Sequence, residues 1–228
     1  MSEGTLYIVA TPIGNLGDMT LRGLDTLKKV DVIACEDTRN TMHLLTHFGI
    51  SKRLMACHDH NEEGRSTEIA NMIRNGQSVA LVSDCGMPLV SDPGFRIVRK
   101  ILSEGLKLDV IPGPTAFVAG LVLAGMPVEK FIFLGFLPPK QSKRIRYMEE
   151  IRNFSGTVIL YESPYKLIKT LEFIRNNVET EKVSVVKEIT KLHQKVISGT
   201  MDEVVSGLGT EKIRGEYVIY FTIKDKND

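Results

Sequence analysis

The sequence predicts an α/β protein of two domains, residues 1–113 on a mostly parallel sheet and residues 114–228 on a mixed one. Three observations carry this. The first half alternates short, nearly continuous apolar runs with amphipathic segments, as strands covered on both faces alternate with crossover helices. The second half contains "KVSVVKEITKLHQKVISG", two β-rich runs joined by a tight link, hence antiparallel or mixed. Between the halves, "PGPTAF" (112–117) marks the seam.

Taken in order, "TLYIVA" (5–10), "VDVIAC" (30–35), "RLMACH" (53–58), "SVALVS" (78–83) and "KLDVIP" (107–112) read as strands. Of the helices between them, "STEIANMIRNG" puts Ile69, Met72 and Ile73 on one face and stops at Gly76. "GFRIVRKILSEG" is predicted to bury Phe95, Val98, Ile101 and Leu102, with Gly105 as its stop. Beyond the seam, strands are predicted over 131–136, 157–162, 182–189, 194–199 and 216–223, with helices at 141–153 and 165–177.

The composition, 43% hydrophobic and 25% charged, suits globular domains with cores of their own. The net charge of +1 excludes a polycation that binds nucleic acid or membrane through charge alone. Residues 1–112 hold 12 basic and 14 acidic side chains and residues 113–228 hold 17 and 14, so an anionic partner is expected on the second half. No run of about 20 apolar residues suggests a membrane span, and no basic-then-apolar start suggests a signal peptide. Cys35, Cys57 and Cys85 are an odd count without metal-like spacing, which fits a reducing cytoplasm.

Ligands of open α/β sheets sit at the carboxyl ends of the strands. Three loops there are rich in Gly, Pro, Ser, Thr and Asp: "TPIGN" (11–15), "SDCGMPLVSDPG" (83–94) and "PGPTA" (112–116). Singly, each is ordinary turn chemistry; on one sheet edge, they suggest a ligand cleft. None has the lysine and hydroxyl of a phosphate-cradling P-loop or the glycine spacing of a dinucleotide fingerprint. Asp84 and Asp92 would repel a polyphosphate and suit a cationic ligand rich in hydrogen-bond donors. S-adenosylmethionine, with its sulfonium, ammonium, ribose and adenine, fits that description.

Seven stretches in register, "LYIVATPIGNLGDMTLRGL", "ACEDTRNT", "LVSDCGMPLVSDPG", "IPGPTA", "FLGFLPPK", "YESPYKL" and "KEITKLH", resemble the tetrapyrrole-methylase superfamily, and within it the branch that methylates small-subunit ribosomal RNA. The resemblance runs from about residue 5 to residue 200. It implies two α/β domains, a homodimer, and S-adenosylmethionine in a cleft between the domains. It also implies methyl transfer to the 2′-hydroxyl of a decoding-centre cytidine in 16S rRNA within the small ribosomal subunit. Carried onto this chain, the donor site falls on Pro12, Ile13 and Gly14, on Ser83, Asp84, Met87 and Pro88, and on Thr115 and Ala116, with Glu162 and Ile189 contributed by the second domain. The chain departs from the pattern at Cys85, where alanine is usual, at Tyr165 and Lys166, where histidine and arginine are usual, and at Gln194, where glutamate is usual.

Methyl transfer from a sulfonium is an in-line displacement that needs alignment and exclusion of water but no metal. A ribose hydroxyl gains from a general base or a cation beside the oxyanion. "CEDTR" places Glu36, Asp37 and Arg39 just past the second strand, for base catalysis or for gripping RNA; Asp37 or Thr38 as a helix cap is the alternative. Glu188 and Lys191 in "KEITK" are a further catalytic candidate or a surface ion pair. Glu162 ends an apolar strand, either functional or emerging into solvent. "PPKQSKRIRYMEEIR" offers Lys140, Lys143, Arg144 and Arg146 to phosphates, or is a solvated helix face with Ile145 and Met148 inward. His58, Asp59, His60 and Glu62 could approach a metal, but they lack the helical zinc spacing, and no metal is expected. A tetrapyrrole-precursor methylase and a non-catalytic RNA-binding assembly factor stand as the competing readings.

Overall fold

The computed structural model describes residues 4–209 and 213–224. The chain divides into two compact units, Met1–Thr115 and Ala116–Asp228. The first holds strands β1 (Leu6–Val9), β2 (Val32–Cys35), β3 (Arg53–Ala56), β4 (Val79–Val82) and β5 (Leu108–Ile111) in the order β3-β2-β4-β1-β5. Every neighbouring pair is parallel. Helices α1 (Leu21–Lys29), α2 (Thr38–His47), α3 (Glu62–Arg74) and α4 (Phe95–Ser103) connect them.

The three inner strands of this sheet, β2, β4 and β1, are buried because its two faces are covered by separate cores, while the edge strands β3 and β5 are partly exposed. Leu27 of α1 and Leu45 of α2 pack with Val9, Ile33 and Val82. Ile69 and Ile73 of α3 and Ile97 and Ile101 of α4 pack with Leu6, Ile8 and Leu81. The reason lies in the order of the strands. The steps β1→β2 and β2→β3 run one way along the sheet, and β3→β4 and β4→β5 run the other. Right-handed crossovers then place the two helix pairs on opposite faces. At the β2/β4 pair the chain leaves in opposite directions, which opens a crevice at the carboxyl ends of those two strands.

Helix α4 corrects one expectation. Phe95 and Leu102 are 61% and 59% exposed, while Ile97 and Ile101 are fully buried. "FRIVRKILS" offers two apolar stripes at helical spacing, and the sheet and α3 select the β-branched pair at i and i+4. The exposed Phe95 ring carries the Arg99 guanidinium, 5.7 Å from its centroid.

The second unit holds α5 (Ala116–Ala124), β6 (Phe131–Phe136), α6 (Gln141–Ile151), β7 (Thr157–Glu162), α7 (Leu167–Asn177), β8 (Thr180–Lys187), β9 (Lys195–Gly199), α8 (Met201–Gly209) and β10 (Tyr217–Ile223). Its sheet is mixed, in the order β6-β7-β10-β8-β9, with β6 parallel to β7 and the other pairs antiparallel. One face packs on Met148 and Ile151 of α6, Leu171 and Ile174 of α7 and Val204 of α8. The other lies under α5, whose apolar residues are distributed all round the helix and give no periodic signal. Gly120 allows that close approach, since a Cβ there would lie 2.1 Å from the Tyr220 hydroxyl. That hydroxyl donates to the Phe117 carbonyl at 3.0 Å.

The strand predicted over 182–189 ends at Lys187, because Glu188 turns the backbone into the left-handed region at φ 51°. Among the described residues, no helix is long and apolar enough to cross a membrane.

Candidate active site

Three loops at the carboxyl edge of the first sheet meet at Gly86. The Thr11 N–H donates to the Gly86 carbonyl at 2.9 Å, and the Thr11 hydroxyl donates to the Ser83 carbonyl at 3.1 Å. The Ser83 hydroxyl donates to the Gly86 carbonyl at 3.0 Å. Gly86 has φ 88°, and a Cβ there would stand 3.0 Å from Ile13 and 3.4 Å from the Pro114 carbonyl. The loops after β1, β4 and β5 thus form one junction that only glycine can close. Pro12, Ile13, Ser83 and Pro88 are buried in it, Met87 packs on the α3/α4 core, and the half-buried Thr115 hydroxyl donates to the Gly113 carbonyl at 3.4 Å. Gly14 is exposed at the mouth of the first loop.

The β2/β4 crevice is acidic. Asp84 is exposed and accepts the Asp37 N–H at 3.2 Å on one oxygen and the Asn40 amide at 2.6 Å on the other. Asp37 caps α2, accepting the Arg39 N–H at 2.8 Å, and is clamped by the Arg39 guanidinium at 3.1 and 2.6 Å. That clamp holds the Asp37 carboxyl down at about 2, so it stays ionised and is a poor proton acceptor near neutrality. Glu36 and Asp92 behave oppositely. Burial, then the charges of Asp84 and Asp59, pushes Glu36 up. Burial, then the charges of Glu36 and Asp84, pushes Asp92 up to about 6. Asp37 therefore takes the capping role, and Glu36 and Asp92 are the carboxyls of this edge whose proton affinity is raised.

The loop after β4 is held at its far end by Glu62. This carboxylate, 5% exposed, accepts the Gly94 N–H at 3.0 Å and the Arg96 N–H at 2.7 Å. It supplies from α3 the cap that Gly94, lacking a side chain, cannot give α4. Inside the loop, Leu89 and Ser91 sit at φ 71° and 69°. The other non-glycine residues at positive φ among the described residues are Glu188 and Thr190, in the loop after β8. Backbone strain is thus confined to two loops that the sequence marks as functional.

In the second unit, Glu162 is buried at the end of β7. It accepts the Ser163 N–H at 2.7 Å and the Thr170 hydroxyl at 2.6 Å. Arg144 donates to that same hydroxyl at 3.2 Å and lies over the Phe173 ring, 4.3 Å from its centroid. Of the four cations named in the basic stretch, Lys140, Lys143 and Arg146 are exposed; Arg144 is half-buried and Arg146 pairs with Glu150. Glu188 accepts from Lys191 at 3.1 Å and from the Glu216 N–H at 2.9 Å. Burial works against its charge, but the Glu216 N–H and the Lys191 ammonium outweigh it and hold the carboxyl below its ordinary value. Ala116 opens α5 and is half-buried, and Ile189 is buried against the same helix at Gly120.

Sequence reasoning did not single out Thr11, Gly86, Asn40 and Thr170. Asn40 had a legible signal, one helical turn beyond the Asp37 cap; Thr11 and Gly86 depend on contacts between loops distant in sequence, and Thr170 on where α7 packs against Glu162 and Arg144. The His58 and His60 rings lie 6.0 Å apart, edge to face. Among the described residues, no group of three or more His, Cys, Asp or Glu is placed to hold a metal ion.

The family model described as Tetrapyrrole (Corrin/Porphyrin) Methylases matches residues 5–205. The chain is similar to three proteins named ribosomal RNA small subunit methyltransferase I. That of Mycoplasmopsis pulmonis is 45% identical over 96% of this chain and 98% of its own. That of Halalkalibacterium halodurans is 42% identical over 95% and 75%, and that of Thermotoga maritima 40% identical over 97% and 100%. Among solved structures, a diphthine synthase superposes with a TM-score of 0.73 at 15% identity, covering 97% of this chain and 90% of that one. A uroporphyrin-III-C-methyltransferase from Thermus thermophilus superposes with a TM-score of 0.66 at 18% identity, covering 96% and 94%. These two likenesses concern the fold; the match over residues 5–205 and the identities of 40% and above go further, and by them the chain belongs to the tetrapyrrole (corrin/porphyrin) methylase family.

Proposed function

We propose that this methyltransferase takes its methyl group from S-adenosylmethionine and transfers it to small-subunit ribosomal RNA, at the ribose 2′-hydroxyl of a decoding-centre cytidine. The observation that carries the reading is the similarity, along nearly the whole chain, to proteins named ribosomal RNA small subunit methyltransferase I. The first unit adds support. Its β2/β4 crevice is acidic, and its Gly86 junction presents backbone groups without any phosphate-binding motif. Such an edge suits a cation bearing hydrogen-bond donors and opposes a nucleotide polyphosphate.

S-adenosylmethionine would supply an electrophilic methyl on a sulfonium. The residues present fit it: Pro12, Ile13, Ser83, Met87, Pro88 and Thr115 as the walls and turns of the site, Asp84 as the partner of the ammonium or of the ribose hydroxyls. Ala116, Glu162 and Ile189 are the second unit's proposed share. Asp37 stays ionised under Arg39 and orders the start of α2. Glu36, its proton affinity raised, is the proposed acceptor of the hydroxyl proton. Glu188, held below its ordinary value, serves in this reading as a fixed charge that steadies Lys191. Arg39, Lys140 and Lys143 are the proposed RNA contacts. The reading takes the protein to be a homodimer working in the cytoplasm on small ribosomal subunits.

Small subunits lacking the modification, incubated with the protein and tritiated donor, test the reading. Alkali-resistant label at one decoding-centre cytidine is the expected result. Donor binding without any label on RNA would overturn the RNA assignment and leave a tetrapyrrole precursor as the acceptor. Calorimetry of Asp84→Asn should show donor affinity about tenfold weaker, the size of a lost charge-assisted hydrogen bond. An unchanged affinity removes Asp84 from the donor site.

A further inference from the structure

One end of the second sheet is level across its strands. The Cα pairs Glu162–Tyr217, Tyr217–Lys187 and Lys187–Lys195 form a single row, and Phe136 pairs with Tyr161 beside it. Beyond that row lie four segments: 137–140 leading into α6, 163–166 leading into α7, 188–194 between β8 and β9, and 213–216 leading into β10. Topology therefore gathers the exposed side chains of Lys140, Lys143, Lys166 and Arg214 at one end of the sheet. Among the described residues, the acids there have partners within the unit. Glu162 is buried on Thr170 and Ser163, and Glu188 and Glu216 both accept from Lys191.

At the same end stands Tyr165, 92% exposed, and the loop between β8 and β9 carries Leu192, 93% exposed. A single exposed apolar side chain is ordinary. Tyr165 differs in its mounting. Its loop is pinned by the Ser163 N–H on Glu162, by the fixed φ of Pro164, and by the Lys166 N–H donating to the Ser163 carbonyl at 3.1 Å. The ring is held out on a rigid turn, at a positively charged sheet end, with nothing of its own unit packed over it.

A flat ring among cations is the pairing by which proteins hold unpaired nucleic acid, with aromatic faces taking the bases and Lys or Arg the phosphates. We propose that Tyr165 is a stacking platform for an unpaired base of the RNA substrate, with Lys140, Lys166 and Arg214 holding the flanking phosphates. The proposal rests on the reading of the protein as an RNA methyltransferase and adds the form of RNA it grips: a single-stranded segment, since a duplex offers no free base face.

The test is binding of the full-length protein to a short fluorescein-labelled single-stranded RNA and to the duplex of the same sequence, over a range of salt. Tyr165→Ala should weaken single-strand binding by roughly 5- to 150-fold, the range for loss of one stacked base, with the salt slope and duplex binding unchanged. Tyr165→Phe should bind as the wild type. Lys166→Ala should instead reduce the single-strand salt slope by about 0.7, one phosphate contact. Donor affinity, measured by calorimetry, should be the same in all three. A Tyr165→Ala protein that binds the single strand as tightly as wild type overturns the stacking role; if that variant still methylates small subunits, the functional reading survives. Equal losses on single strand and duplex, with a changed slope, also overturn it, leaving charge alone. A wild-type protein that neither binds RNA nor labels small subunits overturns the proposal and the reading together.

Discussion

The carboxyl edge of the first sheet and the level end of the second carry opposite charge. At the first, burial and the neighbouring charge of Asp84 raise the proton affinity of Glu36 and Asp92, and Arg39 pairs with Asp37. At the second, lysines and Arg214 face solvent while Glu162, Glu188 and Glu216 are buried or engaged by Lys191. A net charge of +1 hides both. What matters for a ligand is which loops the strand order brings to one end, and which charges there are already neutralised within the unit. The same contrast fits a reaction between a cationic donor and a polyanionic acceptor.

The contrast can be broken most severely at Glu62, an acid of the first unit with a structural task. Glu62→Ala should cost about 3–5 kcal/mol in urea unfolding, since two N–H groups lose a charged acceptor in a buried place. Glu62→Gln, which keeps an acceptor oxygen, should cost less than half as much. A midpoint unmoved by the alanine would show that the α4 terminus does not depend on this acid.

Asp92 comes next, and its effect has the opposite sign. Its folded-state value of about 6 lies above the ordinary 3.8, so the folded protein holds this proton more tightly than the unfolded chain. Wild-type stability should therefore fall as pH rises from about 4 to about 6 and stay reduced above that. Asp92→Asn should gain about 2 kcal/mol at pH 7 and lose that slope. Denaturation series at several pH values check it; an unaltered slope would place the crowding elsewhere.

A smaller effect separates neighbours in the basic stretch. Arg144→Ala should lose about 1 kcal/mol of stability through its ring contact with Phe173 and leave the salt dependence of RNA binding intact. Lys143→Ala should do the reverse, leaving stability intact and reducing the salt slope by about 0.7. Identical behaviour of the two would erase the division between packed and exposed cations. The smallest change is local. Arg39→Ala should return the Asp37 carboxyl from about 2 toward the ordinary range, read by carboxyl-carbon NMR, while α2 remains folded.

Much of this architecture was legible. The strands over 131–136 and 157–162 occur as read, because each is built on a short β-rich apolar run followed by turn residues. The three loops read as one ligand edge do meet, at Gly86. Two kinds of feature were not legible. Where a segment is apolar on several sides, periodicity leaves its buried face undetermined: α4 exposes Phe95 and Leu102, and α5 gave no signal. Where a charged side chain finds a partner distant in sequence, composition cannot tell it from a solvated one. Arg144 looked like its neighbour Lys143 until Phe173 and Thr170, about thirty residues on, were placed beside it.

By itself, the sequence determined the order of the strands, the parallel and mixed character of the two sheets, and the family, because local periodicity and short motifs are written in adjacent residues. Only the tertiary structure decided which carboxyls keep their protons, which cap helices, and which cations face solvent. Those properties depend on burial and on distances between groups far apart in the chain, and the fold alone sets both.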